Sequence, residues 1–447
     1  MPSRRAPDAM PTFNDLLATV LERGTRLIDW RGSERATPEA LARHCADLLS
    51  SKGEATGVAL AARILEGYDG LDPAGRRAFF QSLAAEYDPD PEAVTAAAER
   101  YAAERSSAAL ASLAAVTETR RHELFRRLNL APDGTGRLVS MRADLLTMLR
   151  DDPEFARIDA DFRHLLGSWF NRGFLVMRPI DWNTPAAILE KIIAYEAVHE
   201  IDSWDELRRR VGPEDRRCFA FFHPSMPNEP LVFVEVALTR AVPGSIQALL
   251  ASERQQIAPR DATTAVFYSI SNCQTGLKGV SFGAFLIKQV AEDLAHALPK
   301  LENFVTLSPV PGLSRWLADE AKRDPDLPAA RVLALINANH WRDDPKRATE
   351  LEALLLPLVA RYFVDARRGD GQPPDQVARF HLGNGAQLLD IHWMGDTSEK
   401  GLAQSFGTMV NYLYDLDKIE ENHEAYAAEG KVTASRKVRN LAAAARK

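Results

Sequence analysis

The chain has 447 residues, 46% of them apolar and 26% charged, with a formal net charge of -7. That length exceeds what one ordinary hydrophobic core accommodates, so two domains are expected, and the composition is that of a soluble globular protein, not a disordered or fibrous one. The acidic balance argues against nucleic acid as a partner, since such binding rests on a positive surface field, but it leaves room for a local basic pocket around a phosphorylated ligand.

Up to about Gly173 the sequence is rich in Ala, Leu, Arg and Glu, and its helix starts share one device, a capping residue followed by proline. Thr37-Pro38-Glu39, Asp72-Pro73-Ala74, Asp90-Pro91-Glu92 and Asp152-Pro153-Glu154 each set a side-chain acceptor before a proline whose missing N–H costs nothing at the first helical position. Between them Leu60, Ala61, Ile64 and Leu65, and then Phe79, Phe80, Leu83 and Ala84, recur at helical spacing. Residues 1–173 are therefore expected to form an all-helical bundle, a scaffold or oligomerisation domain to which no chemistry is assigned.

From Phe174 the character changes. After the compact apolar run FLVMRPIDW and another capped start at Thr184-Pro185, strands are expected at 218–223, 231–239, 263–271, 304–307 and 388–394, where Val, Phe and Ile cluster or alternate. Pro227-Asn228-Glu229-Pro230 reads as the hairpin turn between the first two. Helices are expected at 277–298, 329–339, 347–363 and 402–414, which makes 174–447 a mixed α/β domain and the chain α+β. The basic tail 431–447 is expected to be an exposed terminal helix or frayed end without a partner.

Cys45, Cys218 and Cys273 are widely spaced and odd in number, so neither a disulfide framework nor a Cys-x-x-Cys site is supported, and a reducing compartment fits. The N-terminal MPSRRAPDAMPTF carries two arginines without an apolar core, no apolar run reaches membrane-spanning length, and the final LAAAARK lacks a Ser-Lys-Leu address. A cytoplasmic location without membrane association is expected.

The densest chemistry lies in 267–316, read as strand, glycine-punctuated loop, helix, strand and Ser-Pro turn. Gln274-Thr275-Gly276-Leu277-Lys278-Gly279 follows an apolar strand and is expected to open a helix, so its backbone N–H groups can converge on an anion. It matches neither a Walker loop nor Gly-x-Gly-x-x-Gly, and as an isolated glycine pair it reads more readily as a tight strand-to-helix connection than as a phosphate site. Ser308 in Ser308-Pro309-Val310-Pro311-Gly312 stands where functional residues of mixed sheets collect, or else caps a helix beginning near Leu313. His381, in RFHLGNGAQLL, precedes an Asn384-Gly385 pair that signals a hairpin, with His392 as its competitor. Asn411-Tyr412 is expected to follow a helix containing Ser405, Gly407 and Met409; it can contribute polar groups to the same cleft, but a helix packed on the sheet with its tyrosine at the rim is the better-supported reading. No His-Glu-x-x-His spacing or cysteine cluster points to a metal.

At these motifs the chain resembles the malonyl-CoA decarboxylase family. The matching residues are FYSIS, GLKGVSFGAFLIKQV, TLSPVPG, FHLGNGA and NYLY in that order, together with RRVGPEDRRC and EPLVFVEVALT. The resemblance covers the whole second domain, and the helical first third is also what the family shows. It implies a helical domain joined to a catalytic domain resembling the GNAT type of acetyltransferase, and conversion of malonyl-CoA to acetyl-CoA and carbon dioxide. By position, the family's acyl-CoA-binding stretch falls on Lys278, Gly279, Val280, Ser281, Phe282, Gly283 and Ala284, with Gln274 and Gly276 leading into it. Its catalytic serine and histidine fall on Ser308 and His381, which would also contact the substrate. Ser281 is a departure, standing where animal members carry a glutamate. The implied chemistry passes through a thioester enolate and needs no metal and no cofactor. The implied assembly is a homo-oligomer, a tetramer among its candidate states. Two other readings stay open at this point: an acyl-CoA-dependent acyltransferase, and a non-catalytic coenzyme A sensor in which Ser308 and His381 need not converge.

Overall fold

The computed structural model describes residues 37–50, 53–280, 286–324, 326–338, 341–342 and 344–446. They fall into two compact units, the first running to Val176 and taking in Phe222–Pro230 and the loop that begins at Gln274.

The first unit is helical. Its described helices are Pro38–Ser50, Glu54–Asp69, Pro73–Glu86, Pro91–Glu104, Ser107–Thr117, Arg120–Leu128, Gly134–Met148 and Ala156–Trp169. Three of the four expected proline starts behave as anticipated: Thr37, Asp72 and Asp90 accept from Ala40, Gly75 and Glu92 N–H respectively. The fourth differs. Pro153–Phe155 is a 3₁₀ turn leading into Ala156–Trp169, and Asp152 does not cap it because its carboxylate takes Arg77 Nε at 2.8 Å. The core sets Tyr68 edge-on against Phe79 and Phe80, tilts Phe155 against Phe80, and stacks Phe125 on Phe162 at 4.1 Å. Each such fully buried phenylalanine contributes about 1.5–3 kcal/mol of transfer free energy.

The second unit carries an eight-stranded mixed sheet: β1 Val176–Ile180, β2 Arg216–Phe222, β3 Val232–Thr239, β4 Thr264–Asn272, β5 Asn303–Thr306, β6 Ser308–Pro309, β7 Gln387–His392 and β8 Met409–Leu413. The order is β1-β2-β3-β4-β5-β8-β6, with β7 also paired to β8. The five expected strands are present with ends shifted by no more than two residues, and β2 and β3 form the expected antiparallel hairpin. A core under the sheet joins Ala237, Val266, Tyr268, Val305, Leu307 and Met409.

One feature of this sheet positions a cavity. β4 and β5 run parallel only from Thr264 and Asn303 to Phe267 and Thr306, yet β4 continues to Asn272. Beyond Phe267, β4 has no β5 residue beside it.

Three expectations are corrected. The helix expected over 402–414 is helix Glu399–Ser405 followed by β8; Phe406 and Gly407 at φ 54° and 79° end the helix, and the chain enters the sheet as a strand buried on both faces. The tail is a terminal helix, one of its two expected states, but not a wholly exposed one: helix Arg436–Ala444 buries Val438 and Ala442 and packs on helix Pro345–Val364 and β7. The helix expected from 277 is, as far as Val280, a 3₁₀ turn at Thr275–Leu277 and a loop, and the described helix is Leu286–Ala297.

Candidate active site

β8 lies at the centre of a buried polar network. Ser308 of β6 pairs with Val410, and its hydroxyl donates to Thr306 Oγ1 at 2.8 Å while standing 3.2 Å from His381 Nε2. Thr306 Oγ1 also accepts from Tyr412 N–H at 3.1 Å, and Asn411 Nδ2 donates to the Thr306 carbonyl at 2.7 Å. Ser308 therefore does not cap the following helix. Its hydroxyl is committed to Thr306 and faces the imidazole.

His381 is delivered by a helix and not by a hairpin arm. Helix Gln376–Gly383 is capped by Asp375, whose Oδ1 accepts from Val377 and Ala378 N–H at 2.9 Å each. Its Oδ2 takes the Tyr362 hydroxyl at 3.3 Å and Gly312 N–H at 3.4 Å, so one carboxylate ties the start of the histidine's helix to the turn after Ser308. The expected Asn384-Gly385 hairpin is the helix C-terminus instead. Gly385 at φ +79° closes it, and a side chain there would meet the Ile419 carbonyl at 2.1 Å.

The imidazole is 3% exposed, stacks on Tyr412 at 4.5 Å and places Nδ1 2.8 Å from the Tyr414 hydroxyl. Burial pushes its pKa down to about 3, so it is neutral throughout the physiological range. Ser308 and His381 line a cavity of about 370 Å³ with Phe380, Tyr268, Ile270 and Asn272, so its opposite wall is the stretch of β4 beyond the end of the parallel ladder. His392, the competing histidine, lines a different cavity with Trp393 and Lys437 and is hydrogen-bonded to Asn411 Oδ1.

The glycine loop belongs to the helical unit. Buried Arg142, paired with Asp159 at 2.8 Å, donates to the Gly276 and Lys278 carbonyls at 2.6 and 2.9 Å, and Gln274 Nε2 donates to the Pro230 carbonyl at 3.1 Å. A side chain at Gly276 would fall 1.8 Å from the Val139 carbonyl oxygen, which is why only glycine fits. The expected cradle of amides is corrected here: Leu277, Lys278 and Val280 N–H donate inward to Gln274, Thr275 and Leu277 carbonyls. What this stretch presents outward is the exposed Thr275, Lys278 and Gly279, the last at φ +77°. Ser281, Phe282, Gly283 and Ala284 lie outside the described residues.

Sequence reasoning missed Arg142, in a bundle given no chemistry, and Thr306, Asp375 and Tyr414 around the pair. Only Asp375, two residues before an apolar helical run, carried a local signal, that of an N-cap. Among the described residues no group of three or more His, Cys, Asp or Glu side chains is placed to hold a metal ion.

With this geometry in place, the comparisons with known proteins are specific. The family model for the malonyl-CoA decarboxylase C-terminal domain matches residues 173–447, and that for the N-terminal domain matches 87–170. The chain is 37% identical over 345 residues to mitochondrial malonyl-CoA decarboxylase of Anser anser anser, covering 70% of this chain and 68% of the relative. It is 36% identical over 354 residues to the Rattus norvegicus protein of the same name, covering 72% and 70%. Among solved structures it is similar to malonyl-CoA decarboxylase from Rhodopseudomonas palustris, with TM-score 0.86, 50% identity, and 90% and 99% of the two chains covered. The corresponding structure from Agrobacterium vitis gives TM-score 0.85 and 51% identity over the same shares.

Proposed function

The chain belongs to the malonyl-CoA decarboxylase family, and from that premise we propose how its buried residues carry the reaction. The protein is an enzyme that decarboxylates malonyl-CoA to acetyl-CoA and carbon dioxide. In that reaction the bond from the α-carbon to the carboxylate breaks, its electron pair passes into the thioester as an enolate, carbon dioxide leaves, and the α-carbon gains one proton. The α-carbon needs no electron sink beyond the thioester carbonyl, and the step gains most from hydrogen-bond donors aimed at the developing oxyanion.

Ser308 and His381 are the proposed catalytic pair. The observation that carries this reading is their 3.2 Å contact, buried, on the wall of a cavity large enough for an acyl thioester. One member polarises the thioester oxygen and the other passes the proton. The strand edge from Tyr268 to Asn272 supports the same reading, because main-chain groups past the ladder's end can pair with the amides of the pantetheine arm. Coenzyme A is proposed to lie on Gln274, Gly276 and Lys278 to Ala284. The exposed Lys278 side chain suits a phosphate, on a loop whose shape Arg142 holds.

Residues 1–173 are proposed as an oligomerisation domain, with a tetramer as the candidate state, and 174–447 as the catalytic domain; the separate family matches support this division. Among the described residues no helix is long and apolar enough to cross a membrane, and a cytoplasmic location is proposed, in contrast to the mitochondrial relatives.

Incubation with malonyl-CoA and no acceptor, beside methylmalonyl-CoA and succinyl-CoA, tests the reading. Acetyl-CoA and carbon dioxide are expected from malonyl-CoA alone. Product only on adding an acyl acceptor would make the protein a transferase, and binding without turnover would make it a sensor.

A further inference from the structure

Serine and histidine in contact usually suggest a nucleophilic hydroxyl whose proton is taken by the imidazole, and that arrangement needs the histidine to carry its proton on Nδ1, facing an acceptor behind it. Here the group behind the imidazole is a phenol. Tyr414 is a fully buried residue of the NYLY motif, and among the described residues its hydroxyl has one hydrogen-bond partner, His381 Nδ1 at 2.8 Å. At the other end, the contact of Ser308 with Thr306 has Ser308 as donor, and Thr306 Oγ1 is already an acceptor for Tyr412 N–H. The serine proton is therefore spent on Thr306, and what Ser308 turns toward His381 is its oxygen. Both ends favour the same order: Tyr414 O–H to Nδ1, Nε2–H to Ser308 Oγ, Ser308 O–H to Thr306 Oγ1.

We propose that Tyr414 is a positioning residue that fixes His381 as its Nε2–H tautomer, so that the Nε2–H facing Ser308 Oγ turns its hydrogen bond to the thioester oxygen when substrate binds and serves the enolate as a neutral donor, with Ser308 left unactivated as a nucleophile. The proposal rests on the decarboxylase reading and assigns the roles which that reading left shared. A neutral imidazole donor can stabilise an enolate without itself giving up a proton, as elsewhere in enolate-forming enzymes. His381 keeps its proton through the cycle. The proton gained by the α-carbon comes from the Ser308 hydroxyl, which turns from Thr306 Oγ1 to the carbon, gives its proton and receives one from solvent, so each turnover consumes one proton and releases one carbon dioxide. No acyl-enzyme forms, because no base is placed to take the Ser308 proton.

The test is the tautomer itself. In the full-length protein with ¹⁵N-labelled histidine, long-range proton–nitrogen correlations distinguish Nδ1–H from Nε2–H, with the His381 signals assigned by their loss in His381→Gln. The wild type is expected to show Nε2–H; an Nδ1–H signal would overturn the proposal while leaving decarboxylation of malonyl-CoA untouched, since that reaction is assayed separately. Tyr414→Phe keeps the ring and removes only the hydroxyl. It is expected to lower kcat on the order of 100-fold with KM for malonyl-CoA little changed, and to mix the two tautomer signals. Unchanged kcat together with an unchanged tautomer in Tyr414→Phe would equally sink the assignment.

Discussion

The two places proposed to hold the substrate are built on opposite plans. Ser308 and His381 are set by side chains: Thr306, Tyr414, Tyr412 and Asp375 surround them in a buried network of the sheet unit, where burial keeps the imidazole neutral. The loop from Gln274 to Val280 is set through its backbone, with carbonyls clasped by Arg142 and inner amides spent on its own turns, while Lys278 and Gly279 stay exposed. The difference follows from the tasks. A hydrogen-bond donor to a developing enolate must be fixed in angle and dry, whereas a grip on a flexible, highly charged ligand needs only a rigid contour with an exposed cationic side chain.

Removing the clasp should therefore disturb binding and folding more than chemistry. Arg142→Ala leaves two carbonyls and Asp159 without their buried partner, and it is expected to cost about 3 kcal/mol of stability in thermal or denaturant unfolding. Malonyl-CoA KM should rise while kcat of the folded fraction stays near wild type. A fall in kcat at constant KM would erase the distinction between the two regions.

Asp375 probes the opposite side of the comparison. Asp375→Ala removes a helix cap, worth about 1–2 kcal/mol, and also the link from that helix to Gly312. Because His381 then loses its registration against Ser308, kcat should fall on the order of 10-fold with KM nearly constant. An equal loss in KM alone would place Asp375 outside the positioning of the pair.

The smallest effect is one of pH. Buried His381 and half-buried His199 have folded-state pKa values lowered to about 3 and about 4, by burial in the first and by burial together with the nearby Arg210 in the second. Depressed values mean that the unfolded chain binds these protons more readily, so the two imidazoles contribute fully above about pH 6.5 and that contribution is lost as pH falls toward 4 and 3. The melting temperature should decline over that window in the wild type, and less steeply in His199→Gln. Glu235, raised to about 8 by burial and by the nearby Glu196, acts in the opposite sense, with stability lost as pH rises through 8.

The strands were legible because Val- and Phe-rich runs in a buried sheet carry their own signal, and so were the aspartate-proline helix starts. What was misread shares a physical cause, the override of local signals by tertiary burial. Asn384-Gly385 has the composition of a hairpin turn, yet the same φ-permissive glycine closes a helix when Ile419 leaves no room for a side chain. Met409–Leu413 has no alternation to mark it as a strand because both its faces are buried, so it read as a continuation of the preceding helix. Ser308 and His381 were each found by sequence, but their contact across 73 residues, and the tyrosine behind the histidine, exist only in the fold. Arg142 lies 134 residues from the carbonyl it holds, a separation no local pattern reports.

The central claim, that Ser308 and His381 act as one unit in decarboxylation, is tested most directly by steady-state turnover and coenzyme A affinity of Ser308→Ala, His381→Ala and the double variant. Each single change is expected to lower kcat ~100- to 1000-fold with coenzyme A affinity near wild type, and the double variant to be little slower than the worse single one. Ordinary turnover in Ser308→Ala, or losses in the two single variants that multiply in the double, would contradict it.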